Sequence, residues 1–201
     1  GIGAGILVMC LIFRESHSKD KRYTGSIMSL MSKFPEIFRL RYFVVYTLLY
    51  AFNCGVLFSY VSSASFIIQN HFGFSELQFA IIFGVNALGI GLGSGMSLKF
   101  RKMSNAALFG AAGITVSALV QILVSVLLPS FWPYEVFTFL MLVSVGFILT
   151  SATTMAMDEG RSMVGTASAI FGASGFLFGG IVSPLVGPVS YTHLRAHETV
   201  L

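Results

Sequence analysis

Charge is what this sequence has least of. It carries 12 basic and 8 acidic side chains in 201 residues, 10% in all, against about 25% in a soluble domain. So few cannot cover a water-facing surface of this size, which excludes an ordinary soluble globule. Cysteine is as scarce: Cys10 and Cys54 sit in apolar runs without CxxC or Cys/His spacing and read as buried free thiols. Enzyme motifs are missing as well. There is no G-x-S-x-G, no H-E-x-x-H and no pair of carboxylates on one helix face. Asp158 and Glu159 are neighbours in a solvated turn, and His17 and His71 stand without companion ligands. No catalytic residue, metal site or cofactor is expected.

Hydrophobic residues fill the space that charge leaves, at 55% of the chain with a mean hydropathy of +0.84. At about 20 residues per crossing the chain is long enough for several transmembrane helices. Apolar runs, with no charge except Glu76 near the head of the second, extend from 43 to about 68, from the turn Phe72-Gly73-Phe74 to about 98, from 105 to 128, from 136 to 157 and from 163 to about 186. Ser75 with Gln78 three positions on forms a capping-box signature for the second run. Pro129 and Pro133 bracket a loop with Phe131, Trp132 and Tyr134, an aromatic group of the kind found at membrane interfaces. Barrel strands are excluded because they alternate over about ten residues. The fold class is all-α integral membrane.

The charges punctuate these runs. Seven basic residues lie between Arg14 and Arg41, three at Lys99, Arg101 and Lys102, and one at Arg161, whereas the segments 69–75 and 129–135 hold none. Basic loops alternate with non-basic ones across five crossings, so by the positive-inside rule the basic loops are cytoplasmic and Glu76, Glu135 and His71 lie in outer loops. The net charge of +4 thus records topology, and nucleic acid is not an expected partner. The apolar run 1–13 is too short to span and reads as the cut end of a longer helix, ahead of a loop over 14–42.

Inside the spans the informative residues are small or polar and uncharged. Gly84, Gly91 and Gly95 recur at helical spacing in the second span and Gly172, Gly175 and Gly179 in the fifth, faces that suit close helix packing or sliding contacts. The run Gly89-Ile90-Gly91-Leu92-Gly93 lacks the spacing of a dinucleotide loop. Tyr46, Tyr50, Asn53 and Tyr60 share a face of the first span, joined by Asn86 and Gln121 in the next two. These six are the candidates for lining a cavity that accepts small amphipathic molecules.

Several stretches carry a resemblance: Tyr60-Val61-Ser62-Ser63-Ala64-Ser65-Phe66, Phe83-Gly84-Val85-Asn86-Ala87-Leu88-Gly89 leading to Gly93-Ser94, and Asp158-Glu159-Gly160-Arg161 before the small-residue helix from Gly165 to Pro184. Together they resemble the bicyclomycin-resistance (Bcr/CflA) branch of the major facilitator superfamily. The resemblance implies half of a twelve-helix bundle: a truncated sixth helix at 1–13, the central cytoplasmic loop at 14–42, and helices seven to eleven at 43–188. It implies a multi-pass protein of the cytoplasmic membrane, monomeric when full length, that exports drug-like molecules in exchange for protons. The proton-coupling acid of that family would lie in the other half. The Asp of the family's loop motif is absent between Gly95 and Lys99. Residues 189–201 break the apolar pattern, resemble a translated adapter tail and are expected to be non-native. An accessory or scaffolding membrane subunit is the alternative reading.

Overall fold

The computed structural model describes residues 34–198, with side chains through Val186, together with the helical positions Gly3, Gly5, Val8, Met9 and Ile12. The expected cut helix over 1–13 and the loop as far as residue 33 otherwise lie outside the described residues. The chain divides into two units, 1–34 and 35–201. A one-turn helix, Phe34–Ile37, precedes five long ones: α1 (Arg41–Ser65), α2 (Glu76–Ser97), α3 (Met103–Leu127), α4 (Phe131–Glu159) and α5 (Val164–Glu198). Each is long and apolar enough to cross a membrane. A π-helical segment, Phe66–His71, extends α1, and a 3-10 turn, Arg161–Met163, leads into α5.

The local signals account for most boundaries. Gly73 has φ +74°, a left-handed turn that glycine adopts without a Cβ penalty. The capping box closes at the start of α2, the Ser75 amide donating to Gln78 Oε1 at 2.9 Å and the Gln78 amide to Ser75 Oγ at 3.4 Å. The fourth span departs from expectation, because α4 begins at Phe131 rather than 136. Pro133 is its third residue, where the amide it lacks would have had no helical partner. The aromatic group therefore rides on the first helical turn, and Glu135 lies within a membrane helix, not in an outer loop. The backbone of α5 continues past Pro184 to Glu198, through most of the expected tail.

The described basic side chains Arg39, Arg41, Lys99, Arg101, Lys102 and Arg161 all stand at one end of the bundle's helices or in the turns beside them. There Ile37 and Phe43 pack with Ala156, Ala167 and Phe171. At the other end Tyr60, Ala64 and Ile68 of α1 and its extension pack with Phe131 and Leu142 of α4, flanked by Phe72, Phe74, Phe79 and Phe83. α2 and α3 are held principally through α4, and α1 packs along α5 and on α4.

Glycine sets the closest approaches. A Cβ on Gly93 of α2 would collide with the Val143 carbonyl of α4, and one on Gly146 of α4 with the Ile90 carbonyl of α2. Gly110 and Gly113 of α3 lie against Ser144, Phe147 and Ile148. Of the glycines singled out by spacing, Gly175 lies under Tyr50 and Cys54, and Gly179 under Phe58. Gly84, Gly91, Gly95 and Gly172 have no neighbour within 4 Å of a would-be Cβ among the described residues. Two residues apart on a helix is about 200° of rotation, so α2 carries a second small-residue face, Gly89 with Gly93, and that face meets α4.

Gly146→Val should therefore lower the stability of the bundle by about 1–3 kcal/mol through overpacking against carbonyl groups that cannot yield. Gly91→Ala, with open space around it, should be within about 0.5 kcal/mol of the parent. Apparent unfolding midpoints in detergent measure the difference.

Candidate substrate cleft

At the end away from the basic residues, α1, α3 and α4 part around two adjoining cavities that share Ile67 and Tyr134. The deeper has a volume of about 350 Å³ and presents Ser59, Tyr60, Ser63, Gln121, Tyr134 and Thr138 among Val56, Ile67 and Met141. The outer one, about 230 Å³, reaches His71, Ser125 and Ser130 near the helix ends. Pockets for small molecules run from about 300 to 1,000 Å³, mostly apolar with a few placed polar groups, and the two together fall in that range.

Polar groups are tolerated here because most are satisfied locally. Ser59 Oγ donates to the Gly55 carbonyl and Ser63 Oγ to the Ser59 carbonyl, both at 2.8 Å, the back-bonding open to hydroxyls inside a helix. Gln121 Nε2 donates to Thr138 Oγ1 at 2.9 Å, and Thr138 in turn donates to the Tyr134 carbonyl at 2.9 Å. This short chain ties α3 to α4 across the cleft. On the α1 wall the Tyr60 ring stacks on Phe83 with centroids 5.7 Å apart. Its hydroxyl accepts from Nδ2 of Asn86, which is fully buried, at 3.0 Å.

Of the six candidates Tyr60 and Gln121 line the cleft, Asn86 lies fully buried behind Tyr60, and the other three are elsewhere. Tyr46 flanks the cluster of Phe43 and Phe171 and stacks on Tyr42 at 6.4 Å. Tyr50 stacks on Phe171 of α5 with centroids 3.9 Å apart. Asn53 is 2% exposed and donates from Nδ2 to the Val145 carbonyl at 3.3 Å, joining α1 to α4. Shared spacing put these side chains on one broad face of α1, but α4 and α5 both press on that face and divide it.

Sequence reasoning missed Glu135. Its carboxylate faces the Asn86 amide and lies in the electrostatic surroundings of Tyr60 and Tyr134, and its Oε2 is buried without a hydrogen-bond partner. The signal was Pro133, which a first helical turn accepts; with the helix begun there, Glu135 falls inside it. Among the described residues no group of three His, Cys, Asp or Glu is placed to hold a metal ion.

The profile of the Major Facilitator Superfamily matches residues 1–184. The chain belongs to that superfamily. It is also 31% identical over 185 residues, 90% of its own length, to the uncharacterized MFS-type transporter YdgK of Bacillus subtilis (strain 168). The match covers 46% of YdgK, so the chain spans about half the length of the curated relative. No solved structure matches it. Membership of a superfamily of transporters agrees with the five apolar helices and makes this a multi-pass membrane protein. In this membrane bundle the recess between α1, α3 and α4 brings several polar side chains together near one end of the helices.

In a variant of the transporter with Cys10 and Cys54 replaced by serine, Ser63→Cys and Gln121→Cys should react with a water-soluble maleimide. Ser151→Cys, at a fully buried position, should not react. Mass spectrometry of the labelled protein reads the outcome, and equal labelling at all three positions would mean that the cleft is not a distinct wetted space.

Proposed function

We propose that the chain is part of a secondary active transporter of the Bcr/CflA type that exports small amphipathic drugs across the cytoplasmic membrane by alternating access, in exchange for protons. The observation that carries this reading is the cleft itself: a recess of drug-fragment size whose polar side chains include no lysine or arginine, with His71 at its outer part, walled by Tyr60 and Tyr134 and bordered by Phe72 and Phe131. Aromatic faces with a carboxylate close behind them favour cationic and aromatic molecules over anions. The basic residues at the opposite helix ends support a cytoplasmic position for those ends and an outward one for the cleft. The seam between α1 and α5 is built from rings on glycines and one hydroxyl pair, Ser62 with Ser183 at 2.8 Å. Such a seam offers little resistance to the sliding that alternating access needs.

The test is efflux of ethidium from cells expressing the whole transporter. Tyr60→Ala, Asn86→Ala and Gln121→Ala should each leave the protein in the membrane, and at least one should cut efflux about tenfold, equivalent to about 1.4 kcal/mol. A protonophore should abolish efflux by the parent. Unchanged efflux in all three variants, across every drug tried, would remove the cleft from the substrate path. An accessory subunit would show no drug-dependent phenotype at all.

A further inference from the structure

Glu135 stands apart from every other acid whose side chain is described. Glu36 is exposed ahead of α1, Glu76 is the exposed first residue of α2, Asp158 pairs with Arg161 at 2.7 Å, and Glu159 closes α4 at the basic end. Glu135 alone lies in a helix where three helices meet. The lysines and arginines with described side chains all sit at the opposite helix ends, so none of them compensates its charge. From α1 it is faced by Tyr60, from α2 by Asn86 and from its own helix by Tyr134. The residues of α3, and those of α5 with described side chains, include no Asp, Glu, His, Lys, Arg, Cys or Tyr.

The hydrogen bonding of this group is short of donors. Asn86 gives an Nδ2 hydrogen to the Tyr60 hydroxyl, while Asn86 Oδ1 and Glu135 Oε2 are both buried acceptors with no donor. An ionised carboxylate only accepts; a protonated one brings an O–H donor and carries no charge. One proton therefore removes a charge from a half-buried position that no described cation faces and supplies a donor, two changes that partial desolvation favours.

We propose that Glu135, held against Asn86 and Tyr60 where α1, α2 and α4 meet, is a proton-binding site within this half of the transporter. Its use rests on the transport reading above. A carboxylic acid that takes a proton from water and returns it to water changes the charge behind Tyr60 and Tyr134, which also wall the cleft. The neutral form leaves nothing to attract a cationic molecule, the ionised form does, and the proton and the cation exclude one another.

Infrared difference spectroscopy on the purified whole transporter in lipid, titrated with acid and base and given no drug, reads the site directly. The parent should show a carboxylic-acid C=O band that appears on acidification and is lost on returning to alkaline pH. Glu135→Gln should lose that band, Glu135→Asp should keep one, and Glu76→Gln should leave it as in the parent. Tyr60→Phe, which retains the ring on Phe83 and deletes the hydroxyl, should shift its frequency or midpoint. Spectra of Glu135→Gln that superimpose on the parent, or a carboxylate signal that responds to sodium and not to pH, would overturn the proposal. A Glu135 band that titrates in a protein exporting no drug would support this site while removing the export reading.

Discussion

Hydrocarbon offers a backbone no water to bond with, and every feature of this bundle follows from that restriction. Each peptide group must find its partner inside its own segment, so the apolar runs become long helices joined by turns at their ends. Side-chain hydroxyls obey the same restriction: Ser59, Ser63, Ser144, Ser151, Thr153 and Thr154 all return their hydrogens to carbonyls one turn back. With lipid as apolar as leucine, the helices gain little by hiding side chains from their surroundings, and shape decides which faces meet. The glycine contacts between α2 and α4 are the closest expression of this.

Much of the fold was legible because the same restriction writes itself into composition. A run without charge is a span, basic residues mark the ends on one side, and Ser75 with Gln78 announces the start of α2 as the structure forms it. What spacing could not supply was the choice between equivalent faces. On α2 the set Gly84, Gly91 and Gly95 and the pair Gly89 and Gly93 satisfy the same rule, and only the position of α4 selects the second. The polar stripe on α1 was legible as a stripe but not as three destinations, since Tyr50 answers to Phe171, Asn53 to Val145 and Tyr60 to Asn86. Glu135 was hidden for a different reason: a charged residue beside two prolines looks like a loop, and averaging hydropathy along the chain moves the helix start past it.

The cleft and the acid behind it share walls, and that sharing matters more than either alone. Tyr60 lines the cavity with its ring and reaches Asn86 with its hydroxyl. Tyr134 lines both cavities, and its carbonyl receives the Thr138 hydroxyl that Gln121 bonds to. The recess and the group behind it thus have two aromatic residues on different helices in common, Tyr60 and Tyr134.

The position of α4 has a bearing on how the chain is made. It packs on α1, α2 and α3, and all three precede it in the order of synthesis. Until residues beyond 130 leave the ribosome, α2 and α3 lack the helix on which Gly93 and Gly110 pack, and Asn53 has no carbonyl of Val145 to bond. Synthesis of α4 supplies the contact that α1, α2 and α3 share, and α5, which packs along α1, follows it. The order of the helices in the gene is thus also the order in which these contacts become available.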